Sequence, residues 1–275
     1  MVQITEVQLN NRKISNRDPA IVIAGMNVIE SEELCISVAG ELKNICERNN
    51  IDFIFKASYD KANRSSIDSF RGPGIDQGLK ILKTVKDEFN VPIISDIHEP
   101  SQAEIAAEVL DVIQVPAFLS RQTDLIKAAC ETKKVINIKK AQFLSPAQMT
   151  NIIEKCNHFG NENILLCERG SIFGYDNLIV DFLGIDEIKK IAPTILDITH
   201  SLQLPGGKGK SADGRSSQAK VLGTAAAAIG LAGFFIEVHP SPEDALCDGA
   251  SATRLSEFES LLLELKKFDE LSKSL

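Results

Sequence analysis

The chain has 275 residues, 44% hydrophobic and 25% charged, with a formal net charge of -8. That balance fits an ordinary soluble enzyme with a large core and excludes a fibrous or disordered chain. It also argues against nucleic acid or an acidic membrane surface as partner, so any anion site must be a local cationic pocket.

The opening residues Met1 to Glu6 carry neither a basic nor an apolar leader region, and the six cysteines form no CxxC pair. Both features point to a reducing cytoplasm. Residues 2–9 and 12–16 are expected to form a hairpin around Asn10-Asn11, a plug or lid ahead of the main fold. One pattern then repeats: a short apolar run, a polar turn, a helix-period segment. Strands are predicted at 20–26, 51–56, 91–96, 111–116, 135–139, 163–168, 194–199 and 233–238. Helices are predicted at 31–48, 75–88, 101–109, 122–132, 146–157, 216–231 and 254–272, with 178–191 as the remaining crossover. Ser31, Ser101 (with Glu104) and Ser145 (with Pro146) supply helix-start signals. The apolar stretch from Gly223 to Ile236 is broken by Gly230 and Gly233 and is too short to span a bilayer.

Eight such units, with strands apolar enough to be buried on both faces, predict an α/β fold, a (β/α)8 TIM barrel. The whole of 1–275 reads as a single domain with 1–17 as its hairpin cap. An open doubly wound sheet is the second choice, but Ala24-Gly25-Met26-Asn27 lacks the GxGxxG turn such a sheet carries after its first strand. The Gly/Lys-rich stretch 204–214 is expected to be mobile, either a slack surface loop or a lid on the catalytic face.

In a barrel the C-terminal strand ends converge on one mouth. Those positions hold Asn27, Lys56, Asp96 with His98, Gln114 with Pro116 and Ala117, Lys139 with Lys140, Arg169, His200, and Glu237 with His239. Singly, each has an ordinary explanation: a hydrogen-bonded structural histidine, or a lysine reaching for solvent. A polar group from every strand is a different matter. The polar run from Lys56 to Ser66 adds Lys61, Asn63, Arg64 and Ser65, the mixture of fork, point charge and hydroxyl that suits a phosphate. Cations at 56, 61, 64, 139 and 169 exceed what one phosphate needs, so two anionic ligands are expected together. His200, Glu237 and Asp248 are a second subset, suited to a divalent metal or to moving protons. No nucleophile stands beside an evident His–Asp partner.

Several motifs resemble the 3-deoxy-D-manno-octulosonate 8-phosphate synthase family. They are Gly25-Met26-Asn27, the run Lys61-Ala62-Asn63-Arg64-Ser65-Ser66, Arg71-Gly72-Pro73-Gly74, Asp96-Ile97-His98-Glu99-Pro100 and Gln114-Val115-Pro116-Ala117-Phe118. To these are added Cys167-Glu168-Arg169-Gly170, Phe173 to Leu178, Asp197-Ile198-Thr199-His200 and Glu237-Val238-His239-Pro240. The resemblance runs from about residue 15 to 270.

It implies a (β/α)8 barrel, in a cytoplasmic homotetramer, that joins phosphoenolpyruvate, arabinose 5-phosphate and water. It implies a phosphoenolpyruvate site of Lys56, Lys61, Gln114, Pro116, Ala117, Lys139, Arg169 and His200. The pentose phosphate would meet Asn27, Lys61, Asn63, Arg64, Ser65 and Asp96, with Arg64 supplied across a subunit interface. Catalytic roles fall to Asn27, Lys61, His200, Glu237 and Asp248. Members of the metal-dependent class have a cysteine where this chain has Asn27, so no metal and no other cofactor is expected. Two alternatives stand beside this: a relative using a four-carbon sugar phosphate, which would carry Lys-Pro-Arg-Thr at 61–64, and a non-catalytic phospho-sugar binding barrel.

Overall fold

The computed structural model describes residues 4–173, 175, 177–205 and 213–275. The chain starts with an antiparallel hairpin, β1 (Glu6–Leu9) and β2 (Arg12–Ser15), turned by Asn10 at φ 51°. Asparagine tolerates that left-handed backbone better than most residues. Barrel strands follow as β3 (Ile21–Val28), β4 (Phe53–Ser58), β5 (Ile93–Asp96), β6 (Val112–Val115), β7 (Val135–Lys139) and β8 (Ile164–Glu168). After a two-stranded excursion, β9 (Ser171–Ile172) and β10 (Leu178–Ile179), comes β11 (Thr194–Asp197). A short pair, β12 (Gln203–Leu204) and β13 (Asp213–Gly214), precedes β14 (Gly233–His239) and β15 (Thr253–Arg254). Every barrel strand pairs in parallel with the next, and β14 pairs with both β11 and β3, so the sheet closes.

The helices are α1 (Glu32–Arg48), α2 (Ile75–Phe89), α3 (Gln102–Ala107), α4 (Thr123–Glu131), α5 (Met149–His158), α6 (Phe182–Lys189), the single turn α7 (Ile198–Ser201), α8 (Ala219–Ala227) and α9 (Leu255–Ser274). All residues of β3 to β8 are buried, because helices cover the sheet outside and side-chain layers fill it inside. Neighbouring strands approach closely at Gly25, where a Cβ would meet the Lys56 carbonyl oxygen at 1.9 Å.

The hairpin sits at the N-terminal end of the barrel, away from the strand ends that matter for chemistry. Gln8 N–H donates to Asn163 Oδ1 ahead of β8, and Ile4 N–H to the Ile191 carbonyl ahead of β11. Asn16 holds the same region, donating to Lys189 and Ala192 carbonyls and accepting from Thr194 N–H. Val7, Leu9 and Ile14 enter the core. Of the two expectations, plug and lid, the contacts are those of a plug.

The start signals fare unevenly. Ser31 accepts from Leu34 N–H, and Ser145 with Gln148 forms a complete capping box, on a 3-10 turn that leads into α5. The expected box at Ser101 does not form, since Ser101 is itself helical and makes no cap bond. Gln102 Oε1 caps the preceding turn instead, accepting from His98 N–H and from the Tyr59 hydroxyl. The predicted strand 194–199 stops at Asp197, whose carboxylate accepts from His200 N–H and starts α7. Most of the stretch expected to be a slack loop or a lid, residues 206–212, lies outside the described residues.

Candidate active site

One cavity opens at the C-terminal strand ends and gathers side chains from around the ring. Its floor is cationic and buried: Lys56 is 0% exposed, Lys139 5% and Arg169 6%. Its rim is the polar loop after β4, where Asn63 and Ser65 are exposed and Arg64 half-buried. Lys61 and Asp96 lie in the cavity wall between the tiers. The sequence-predicted Gln114, Pro116, Ala117, His200, Glu237 and Asp248 line the same space. Asn27 does not. It is buried one layer back, and its Nδ2 donates to Asp248 Oδ2 at 3.0 Å. Arg64, expected to serve a neighbouring subunit, lines its own chain's cavity and points a guanidinium nitrogen at Cys247 Sγ.

The floor is a charge network. Lys56 Nζ binds Glu237 Oε1 at 2.5 Å and donates to the Asn27 carbonyl at 2.9 Å. Lys139 donates to Asp197 and stands 3.7 Å from the centroid of the Phe235 ring, a cation–π contact. Arg169 reaches Gln203 Oε1 at 2.8 Å and the His200 carbonyl at 3.1 Å. His200 Nδ1 is 2.6 Å from Asp197 Oδ2. Asp197 is ionised, so Nδ1 carries the proton and Nε2 keeps its lone pair. That lone pair faces Glu237 Oε2 at 3.5 Å, a buried oxygen with no hydrogen-bond donor among the described residues. Two acceptors this close call for a donor that lies beside them and reaches both.

Burial opposes every charge here, and the neighbours decide which survive. Burial pushes Lys56 down to about 8, with Glu237 resisting. Burial would raise Glu237, but His200 in its protonated form, then Lys56 and Lys61, pull it down to about 2. Burial would raise Asp96 too, and Lys61 and His98 hold it well below the carboxylate range. His200 is lowered by burial, against the pull of Asp197 and Glu237, so it is neutral at pH 7. Asp248 adopts φ 50°, the left-handed region, at the point where it meets Asn27. Non-glycine residues held there concentrate at functional sites.

The Lys56 value gives an expected result. Above about pH 8 its ammonium loses the proton, the floor loses a cation, and kcat/KM falls. Stability moves the other way. Between about 8 and the ordinary 10.5 the unfolded chain holds a proton that the folded one has released, so this group favours folding as pH rises. The activity loss is therefore not unfolding. A pH profile checks it: Lys56→Arg, charged throughout, should move the alkaline limb upward. An unmoved limb belongs to another group.

The sequence profile of the DAHP synthetase I family matches residues 2–274. The chain belongs to that family. Over 268 residues it is 52% identical to a 2-dehydro-3-deoxyphosphooctonate aldolase of Pseudoalteromonas translucida (strain TAC 125), covering 98% of this chain and 94% of that one. Proteins of the same name from Acinetobacter baylyi (53%, 97% and 94% covered) and Psychromonas ingrahamii (53%, 98% and 96% covered) match equally well. In this member of the DAHP synthetase I family, three more groups named at the strand ends lie outside the cavity lining: His98, whose Nε2 is 2.9 Å from Asp96 Oδ2, Lys140 and His239. Lys140 turns away from the cavity to Glu168 and Ser171, and His239 sits against Glu30 at 3.4 Å. Conversely, Gln142, Gln203, Cys247 and the His200 partner Asp197 belong to the site region and were not expected there. Cys247 is 3% exposed and lines the cavity as a thiol, its pKa pushed to about 12 by burial.

Proposed function

We propose that this chain condenses phosphoenolpyruvate with D-arabinose 5-phosphate and water to give 3-deoxy-D-manno-octulosonate 8-phosphate and phosphate. This is a transferase step in making the KDO sugar of lipopolysaccharide. Similarity along nearly the full length to relatives named for that product supports it. The observation that carries the reading is the two-tier cavity, with cations both at its buried floor and at its exposed rim. Two phosphates of about −1.5 to −2 each, plus a carboxylate, need such neutralisation. The floor takes the smaller phosphoenolpyruvate, with its two anionic groups, on Lys139, Arg169 and Lys61. The rim takes the sugar phosphate on Asn63, Arg64 and Ser65, leaving the aldehyde pointing down.

The enol carbon attacks the aldehyde carbon, and the adjacent carbon becomes cationic. Water adds there, losing a proton, and the resulting phosphorylated hemiketal expels phosphate as the ketone forms. We place that water on the cavity side of His200 Nε2 and Glu237 Oε2, beside the pair and not between them, within reach of both acceptors. His200 takes the proton: Glu237, at about 2, is too weak a base near pH 7. Asp96, held by Ser58 and by His98 at 2.9 Å, is placed to accept from a sugar hydroxyl. Phosphate release from the two substrates tests the whole reading. Turnover with a four-carbon sugar phosphate instead would move the chain to the other branch of its family, and no turnover would leave a binding protein.

The reaction runs without a metal. At the position of Asn27 the donor is a neutral amide, and its nitrogen, an N–H donor, faces Asp248. Glu237 Oε1 is already taken by the Lys56 ammonium. A divalent ion prefers anionic oxygen or sulfur donors, so this set fits one poorly. Activity should therefore be unchanged by excess EDTA. Asn27→Cys should create stoichiometric zinc or iron binding measurable by elemental analysis. Activity lost in chelator and restored by manganese, iron or zinc would overturn the assignment.

The enzyme works in the cytoplasm, a reading supported by its cysteines, all free and buried. No helix among the described residues is long and apolar enough to cross a membrane. Assembly as a homotetramer rests on the family resemblance. The loops at the mouth offer apolar surface for it in Phe118, Phe143 and Phe173.

A further inference from the structure

Behind the mouth cations lies a second charge pair, enclosed and outside the cavity. Lys140 is 1% exposed. Its Nζ lies 3.0 Å from Ser171 Oγ, 3.2 Å from the Leu144 carbonyl, 3.3 Å from the Ala141 carbonyl and 3.5 Å from Glu168 Oε1. Glu168, 3% exposed, accepts on the same Oε1 from the backbone N–H groups of Arg169 at 2.9 Å and Gly170 at 2.6 Å. Gly170 has φ +87°, and a Cβ there would come within 3.2 Å of Leu178 Cβ. Neither member of the pair lines the cavity.

Enclosing two charges is costly, and burial accordingly pushes Lys140 down and Glu168 up. Well-packed apolar residues usually match or exceed such a pair in stability, so stability alone does not account for it. Its contacts do. One ammonium joins the loop after β7 to the turn after β8, and one carboxylate fixes the two peptides on either side of the Arg169 Cα.

We propose that Lys140 and Glu168 are positioning residues that set the direction in which Arg169 leaves the barrel wall, and so fix the phosphoenolpyruvate subsite. This rests on the reading of Arg169 as a phosphoenolpyruvate ligand. The carboxylate holds the backbone of Arg169, the ammonium holds the carboxylate, and the Leu144 and Ser171 contacts anchor the ammonium to both loops. Losing the ammonium leaves the turn free to rotate, while the sugar-phosphate rim, which starts from β4, is untouched.

The test compares Lys140→Met, Glu168→Gln, the double variant and Arg169→Ala. Thermal melting, the KM of each substrate and calorimetric binding of phosphoenolpyruvate are measured for each. In Lys140→Met the KM for phosphoenolpyruvate should rise about tenfold or more, since displacing a group by about 1 Å costs as much as 10²-fold. The KM for arabinose 5-phosphate should stay within about twofold. The double variant, with no buried charge left, should recover melting temperature but not phosphoenolpyruvate affinity. Recovery of both would mean that the unpaired charge, not lost positioning, caused the defect, and would overturn the proposal. An unchanged phosphoenolpyruvate KM in folded Lys140→Met overturns it too, and should that variant not fold, the double variant decides by the same measurement. Arg169→Ala separates the two levels: if it leaves phosphoenolpyruvate binding intact, the subsite reading itself has failed.

Discussion

Arg169→Ala should lower kcat/KM for phosphoenolpyruvate by about 10²–10³ while moving the melting temperature by only a few degrees. A hydrogen bond to a charged group contributes about 1.5–3 kcal/mol, and a guanidinium can make two. A combined loss of about 3–4 kcal/mol is a factor of about 10²–10³. The fold should tolerate the change because the recorded partners of this side chain, Gln203 and the His200 carbonyl, both lie at the mouth and not in the packed layers. Steady-state kinetics with phosphoenolpyruvate varied, beside a thermal melt, give the answer. A protein that melts far earlier, or keeps its kcat/KM within about threefold, means that the arginine is structural.

The second large effect is at His200. Its alanine variant should lose about 10²–10⁴ in turnover, the range of general acid–base catalysis. Turnover in the unaltered enzyme should also fall in acid as the imidazole takes up a proton. Burial lowers that pKa, so the limb belongs below the ordinary 6.5. His200→Ala should remove the limb from the kcat profile as well as lowering its plateau. A variant that retains the limb, or loses less than about tenfold, assigns the proton to another group. Asp197 enters the same test: its carboxylate fixes the tautomer, so Asp197→Asn should lower turnover without removing the limb.

The barrel was legible because its strands are short apolar runs with polar punctuation, a pattern that tertiary context seldom overrides. Much of the polar mouth was legible for a related reason: Lys56 or Arg169 at the end of a run that is otherwise all core has few places to go. What stayed hidden turns on direction. Lys139 and Lys140 are neighbours, and successive residues of an extended chain point to opposite sides, so only one of them reaches the cavity. The helical turn that aims His200 is started by a side chain, Asp197, that reads simply as the end of a strand. Gln142 and Cys247 come from irregular loops, Gln203 from the two-residue strand β12, and none carries charge, so no periodicity or charge count singles them out. At Ser101 the spacing was right, but Gln102 reached the turn first.

The N-terminal hairpin has a consequence for traffic. With Val7, Leu9 and Ile14 packed into the far end of the barrel, the described residues give the reaction chamber its opening at the strand-end mouth and close it behind. Whatever lies on the floor is shut in by whatever sits at the rim. With floor and rim assigned as proposed above, the three-carbon substrate is expected to arrive before the sugar phosphate, and the long product to leave before the chamber is reloaded.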